Sequence, residues 1–212
     1  SQTYFGIATA DVTTAEFYAT QIIHGNTLKK LYDEIFRYQP SEILINADFE
    51  KIIPIKELKE KTGVYVSVLE DKAYIKDEAV KNIESMLSEN PLKNNMDLAE
   101  IAAGALLYYL KSTQKVDLGH IQEIKPYRIE NYMIIDSSSR RNLELTETLR
   151  DRKRRGSLLW VLDKTMTAMG GRMLRKWIEQ PLLDAEEINK RQDSVAELKD
   201  KFMVRNELME IL

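Results

Sequence analysis

The chain has 212 residues, 43% of them hydrophobic and 31% charged, with no cysteine, two histidines and a formal net charge of -3. That length supports one or two domains with cores of their own, and the lack of cysteine excludes disulfides and thiolate metal sites. No apolar run is long enough to span a bilayer and no basic, apolar, small-residue leader is present, so the expected compartment is the cytoplasm. With a charge this close to neutral, contact with nucleic acid has to come from a local basic patch.

Tyr4 to Val12 and Glu16 to Ile23 are rich in β-branched and aromatic residues, and the polar run Asp11-Val12-Thr13-Thr14 between them predicts an antiparallel hairpin. Leu28, Leu31, Tyr32, Ile35 and Phe36 recur at helical spacing up to Pro40, and Glu42 to Ile45 reads as a short buried strand. A further helix over Ile55 to Lys61, closed by Gly63, leads into a strand over Val64 to Val68. This alternation predicts an α/β domain, a mixed sheet covered by helices. Ala79 to Leu87 reads as a helix broken at Asn90-Pro91. From Asp97, the run DLAEIAAGALLYYLKST predicts a strong helix capped by Asp97 or Asn95. Its apolar stripe is Leu98, Ile101, Ala102, Ala105, Leu106 and Tyr109.

Lys111 to Leu118 is polar and without period, which sets the first domain at residues 1–113 and a linker at 114–120. Ile121 to Ile135 holds two short apolar segments parted by Lys125-Pro126-Tyr127 and Glu130-Asn131, suited to brief strands or extended chain. After Asp136 the pattern is helical throughout, so residues 121–212 read as a mostly α-helical part. Its organising stretch is Asp163 to Leu183. Thr165 or Thr167 caps a helix there, Met169, Met173 and Trp177 share a face beside Leu174 and Ile178, and Pro181 stops it. The expectation is a core helix, with Gly170 and Gly171 marking the close approach of another helix or strand. Asp184 opens the last long helix, with Glu187 placed for a capping box and Ile188, Val195, Leu198 and Phe202 along one face. The chain starts at Ser1 and finishes on Leu208, Met209, Ile211 and Leu212 in an uncapped helical pattern, which predicts a piece of a longer protein.

Two blocks carry a resemblance. The run Thr167-Ala168-Met169-Gly170-Gly171-Arg172-Met173-Leu174-Arg175-Lys176-Trp177-Ile178-Glu179-Gln180-Pro181-Leu182 resembles the helix near the start of the core (lever) domain of the bacterial MutS family of DNA mismatch-recognition proteins. Asp136-Ser137-Ser138-Ser139-Arg140-Arg141-Asn142-Leu143-Glu144-Leu145 resembles the entry into that domain, at the expected distance upstream. The rest is similar to the preceding connector domain, whose fold in the family is RNase H-like. The resemblance implies a connector over 1–113 and the first part of the core over 121–212. It also implies that the mismatch-reading wedge, the clamp and the ATPase lie elsewhere in the whole protein. ATP with Mg, mismatched duplex DNA and homodimerisation would then belong to the intact protein, with no cofactor in this stretch. The connector would dock the partner protein MutL, and the core would relay nucleotide state. The one departure is Ala15, after Thr14, where many members have glycine.

Three groups of residues bear on chemistry. Arg150, Arg152, Lys153, Arg154 and Arg155 form the densest basic cluster, either a seat for DNA phosphates or a solvated connection partly neutralised by Glu144, Glu147 and Asp151. Arg140 and Arg141 share that choice, while Arg172, Arg175 and Lys176 read as a solvated helix face. Asp11 at a strand end suits one ligand of an RNase H-like metal nuclease, which would cleave only with a divalent cation and with Asp11 intact. The other reading is a turn aspartate bonding its own backbone. His24 and His120 have no metal-site or triad spacing, Tyr108, Tyr109 and Trp177 fit helix packing, and no Gly-x-x-x-x-Gly-Lys-Ser/Thr loop occurs for a nucleotide.

Overall fold

The opening hairpin pairs β1 (Phe5–Asp11) with β2 (Glu16–Ile22), Phe5 opposite Ile22 and Asp11 opposite Glu16. The computed structural model describes residues 3–87, 89–93, 95–113 and 121–211. It separates into two units, Ser1–Arg128 and Ile129–Leu212.

In the first unit, α1 (Thr27–Tyr38) starts where the Asn26 side chain accepts from the Lys29 amide at 3.0 Å. Its inward face differs from the apolar stripe expected. Thr27, Leu31, Glu34 and Arg37 are buried, Leu28 is exposed, and Tyr32, Ile35 and Phe36 are half-buried. The helix is turned so that a hydrogen-bonded ion pair, Arg37 on Glu34, occupies the interior.

β3 (Glu42–Ile45) runs parallel to β4 (Tyr65–Val68), Glu42 opposite Tyr65. Between them lie α2 (Ala47–Ile52) and α3 (Ile55–Thr62). The sequence pattern passes over α2, which is only six residues long and stands on the Asn46 cap. Gly63 closes α3 at φ +71, a left-handed position that suits glycine. A 3-10 turn over Asp71–Tyr74 precedes α4 (Lys76–Glu84), which begins three residues earlier than expected.

α5 (Asp97–Thr113) packs on β1 and β2 and also on α4. It therefore buries more than one face: Ala99, Ala103, Leu107 and Leu110 are buried together with Ala105 of the predicted stripe, while the rest of that stripe is half-buried. Two glycines permit this. A Cβ on Gly6 would lie 1.9 Å from the Leu98 carbonyl oxygen, and one on Gly104 would lie 2.3 Å from the Ala79 Cα. Strand and helix, then helix and helix, touch backbone to backbone.

β5 (Lys125–Pro126) joins β2 in parallel, Tyr18 opposite Lys125. Hydrogen bonding thus divides the strands into a mixed sheet of order β1-β2-β5 and a separate parallel pair β3-β4, where the sequence pattern suggested one sheet. Ile121 and Ile124 are buried with Phe17 and Leu107 in the core of this unit. The proposed linker, and His120 with it, lies outside the described residues.

The second unit opens with a 3-10 turn over Ile129–Asn131, and Tyr132 bridges to Leu182. Its helices are α6 (Ser137–Asn142), α7 (Leu158–Leu162), α8 (Ala168–Glu179), α9 (Ala185–Asp200) and α10 (Phe202–Ile211). The four caps are side-chain oxygens of Asp136, Ser157, Thr167 and Asp184, each accepting a backbone N–H of its helix's first turn. The expectation of continuous helix after Asp136 fails over residues 143–156, because Glu144 at φ 47, Arg152 at φ 48 and Gly156 at φ 99 are left-handed and end any right-handed run. The last predicted helix is likewise two, split at Lys201.

α8 is a second correction. Met169 is 66% and Met173 50% exposed, Trp177, Leu174 and Ile178 are half-buried, and Glu179 is its buried residue. Within Ile129–Leu212 the described residues do not cover that apolar face. Gly170 and Gly171 do not admit a neighbouring element either. A Cβ on Gly170 would lie 3.2 Å from Thr165 Cβ, and one on Gly171 would lie 3.3 Å from Thr165 Oγ1, so the glycines make room for the helix's own entry turn. No helix of the described residues is long and apolar enough to cross a membrane.

Candidate functional site

The second unit brings together the two blocks singled out in the sequence. Arg140, on α6, donates from Nε to the Ile135 carbonyl at 3.0 Å and from Nη2 to the Glu179 carbonyl at 2.9 Å, tying α6 to the end of α8. The Met133 amide donates to the Pro181 carbonyl at 2.9 Å beside the Tyr132–Leu182 bridge. Arg140 is thus a half-buried clamp on backbone carbonyls, whereas Arg141 is exposed. Burial pushes the Glu179 carboxyl up, and Arg175 and Arg140 beside it oppose that without cancelling it. Arg175 Nε lies 3.2 Å from the Glu179 carboxylate.

Between the blocks, residues 143–156 form a closed loop. The Leu158 and Leu159 amides donate to the Glu144 and Leu145 carbonyls at 3.0 and 2.9 Å, which shuts its base. Thr148 donates from its amide to the Lys153 carbonyl at 2.9 Å, and Arg152 donates to the Thr148 carbonyl at 3.1 Å, which folds the tip. Ser157, fully buried, donates through Oγ to the Arg154 carbonyl at 2.7 Å while capping α7. Arg150, Arg152, Lys153, Arg154 and Arg155 are all exposed on this loop. Arg154 pairs with Asp163, and among the described residues the other four have no salt bridge. Glu144 is occupied, accepting from the Leu149 amide at 2.6 Å. The arrangement is a small hydrogen-bonded loop with five exposed cations, four of them without a salt bridge among the described residues, which can meet a phosphate backbone but read no base on its own.

Asp163 serves the entry of α8 as well. It accepts from the Thr165 hydroxyl at 2.7 Å and the Thr165 amide at 3.0 Å, bonds that hold its carboxyl below the ordinary aspartate value.

Asp11 sits at the hairpin turn, accepting from the Thr13 amide at 2.8 Å and the Thr13 hydroxyl at 2.6 Å. Partial burial pushes its carboxyl up, but these bonds and those from Thr14 outweigh it and leave the group below its usual value. Among the described residues no group of three or more histidines and carboxylates is placed to hold a metal. His24 is exposed. Tyr108 donates to Glu70 and Tyr109 to Glu42, the latter at 2.8 Å, and the Arg191 guanidinium covers the Trp177 ring at 4.5 Å. These aromatic residues are engaged within their own units.

Sequence reasoning passed over one cluster altogether. Arg37 Nη1 lies 3.0 Å from Glu34 Oε1, and Tyr127 donates its hydroxyl to Glu34 Oε2 at 2.5 Å, all three residues being buried. The Arg37 guanidinium stands 5.2 Å from the centre of the Tyr38 ring and 5.1 Å from that of Tyr127. Burial raises the Tyr127 hydroxyl well above its ordinary value, with Tyr38 and Glu34 adding to the effect. The signal was present: Thr27, Leu31, Glu34 and Arg37 fall at helical spacings of three and four, one face of α1.

A family model for MutS domain II matches residues 1–122, and one for MutS domain III matches residues 138–212. The chain belongs to the MutS family. The DNA mismatch repair protein MutS of Acetivibrio thermocellus is 51% identical over 214 residues, covering 100% of this chain and 25% of that protein. That of Ruminiclostridium cellulolyticum is 51% identical over 211 residues, 99% of this chain and 24% of that protein. The chain spans about a quarter of the length of these relatives. The MutS domain II match takes in β1 to β4 and α1 to α5. The MutS domain III match holds the Arg140 clamp, the basic loop and the capped α8.

Proposed function

We propose that this chain is the connector and the first part of the core of a DNA mismatch repair protein, acting as a structural relay and a docking module for MutL. The observation that carries the reading is the pair of family matches in order along the chain, with relatives named as mismatch repair proteins over its full length. In this reading the connector is 1–113, with an RNase H-like arrangement, 114–120 is the linker and 121–212 belongs to the core. Recognition of mismatched DNA, ATP hydrolysis with Mg and homodimerisation are proposed for the whole protein. The residues present do not suit a nucleotide: the sequence has no phosphate-cradling glycine loop, and no catalytic step is assigned to this chain. The relay role draws support from α5 and α9, helices of 17 and 16 residues. Helices of that length transmit a displacement as rigid bodies and do not absorb it. Calorimetric titration of this chain with MutL from the same source, without DNA or nucleotide, tests the docking role. Binding that disappears on substituting surface residues of 1–113, and persists on neutralising Arg150 to Arg155, is the expected result. A folded chain with no binding sinks it.

A second reading rests on the exposed loop. Arg150, Arg152, Lys153, Arg154 and Arg155 would contact DNA phosphates without sequence preference, supported by the absence of salt bridges to four of them among the described residues. Removing one cation that meets a phosphate should reduce the slope of log affinity against log salt by about 0.9. Duplex binding with a slope unchanged in the neutralised variant would remove this reading.

A further inference from the structure

Arg154 is bonded at both ends of α7. Its carbonyl accepts from the Ser157 amide at 3.0 Å and from the Ser157 hydroxyl at 2.7 Å, where that serine caps the helix. Its guanidinium reaches past the five residues of α7 to pair with Asp163, whose amide closes the helix on the Leu159 carbonyl at 2.9 Å. Asp163 passes the contact on. Its Oδ2 meets Arg154, while its Oδ1 accepts from the Thr165 amide and hydroxyl. Thr165 in turn occupies the space that Gly171 leaves open in the first turn of α8, where a Cβ would lie 3.3 Å from its Oγ1 and 3.6 Å from Asp163 Oδ2. A single chain of contacts thus runs from the basic loop through Arg154, Asp163 and Thr165 to α8.

We infer that Arg154 is a positioning residue, a joint that couples the closed loop 143–156 to the entry of α8, and that phosphate contact is left to the other four cations of the cluster. The part concerning phosphate rests on the second reading above; the joint does not. A five-residue helix is too short to hold its own ends, so α7 is fixed by side-chain bonding at its two termini, and Arg154 supplies a partner at each. The two members of the pair differ in exposure, 57% for the Arg154 side chain against 11% for that of Asp163. A phosphate that drew Arg154 away would leave the enclosed carboxylate without its countercharge. Arg150, Arg152, Lys153 and Arg155 incur no such loss, having no salt bridge among the described residues to give up. Coupling carried by contiguous bonds of this kind shows as non-additivity when both partners are changed.

Residue-by-residue hydrogen exchange on the complete 212-residue chain, without DNA, tests the joint. The Thr148 amide reports the loop tip and the Gly171 amide the first turn of α8, through their bonds to the Lys153 and Thr167 carbonyls. Arg154→Gln should speed both by about threefold, the scale of a partly exposed ion pair, with Leu107 in the core of the first unit unchanged. Asp163→Asn, which keeps an oxygen for Thr165, should do the same, and the double variant should again give about threefold where independent effects would multiply to about ninefold. Arg155→Gln should alter neither amide. Acceleration on one side only, a multiplied effect in the double variant, or an Arg154→Gln profile like that of Arg155→Gln would overturn the inference. In duplex titrations, Arg155→Gln should lower the salt slope by about 0.9 and Arg154→Gln should leave it unchanged; an equal drop in both would overturn the division of the cluster. Absence of any duplex binding would remove the second reading and leave the exchange result to decide the joint.

Discussion

Ala15 holds the hairpin turn at φ 60, a left-handed conformation that crowds its Cβ against the following carbonyl. It is the position at which many relatives of this type were expected to have glycine, and the backbone supplies the reason. Ala15→Gly should raise stability by about 0.5–1 kcal/mol, strain relief exceeding the added chain entropy, as a higher urea midpoint at unchanged slope. Gly104 predicts the reverse. A Cβ there would sit 2.3 Å from the Ala79 Cα, which is backbone and cannot swing aside, so Gly104→Ala should cost about 3 kcal/mol in the same experiment. Glu179 carries a pH signature. Burial raises its folded-state carboxyl above the ordinary value of 4.5, so its ionisation opposes folding. Its contribution is complete below the unfolded value and is lost as pH rises through the raised one. Glu179→Gln should flatten the fall in urea midpoint from pH 4.5 towards neutrality, and an unchanged profile would contradict that assignment. Local chemistry of this kind was partly legible in advance. The Thr167 and Asp184 caps and the Asp11 turn follow from side chains that reach their own backbone. Glu34 and Arg37 share a helical spacing that the sequence displays, but their burial was not legible, because an i,i+3 charge pair looks the same on a solvated face.

At the scale of elements, hydrophobic period located helices well but not what covers them. α8 shows the difference: its Met169, Met173 and Trp177 spacing is genuinely amphipathic, yet Met169 and Met173 meet solvent in this chain. Met169→Lys should therefore change the stability of this chain by less than about 0.5 kcal/mol. Leu159→Ala, at a side chain 4% exposed, should cost about 2–4 kcal/mol. A large loss at Met169 would mean that a partner surface covers α8 in solution. α5 errs in the opposite sense. Its small residues conceal a helix buried on more than one face, since Ala99, Ala103 and Gly104 bring neighbours close without adding bulk. The short elements α2 and β5 escaped notice because six and two residues do not complete enough periods to be counted.

At the scale of the whole chain, exposed apolar side chains concentrate on the last two helices, with Val195, Leu198, Phe202, Met203 and Ile211 all open to solvent. Surfaces of this kind associate, so sedimentation should show a weight-average mass that rises with concentration. Phe202→Glu together with Met203→Glu should abolish the rise. A monomer at every concentration would refute this.

The amino-acid sequence by itself determined the family and the order of the parts. The blocks at Asp136–Leu145 and Thr167–Leu182 are dense in caps, glycines and a proline whose roles are local, and local roles survive in one dimension. Tertiary structure alone decided that Arg140 joins these blocks through the Glu179 carbonyl, that Arg154 pairs with Asp163, and that Tyr127 closes over Glu34 across 93 residues of chain. Those partners are set by which faces meet in space, and a buried charge is tolerated only where a distant residue arrives to satisfy it.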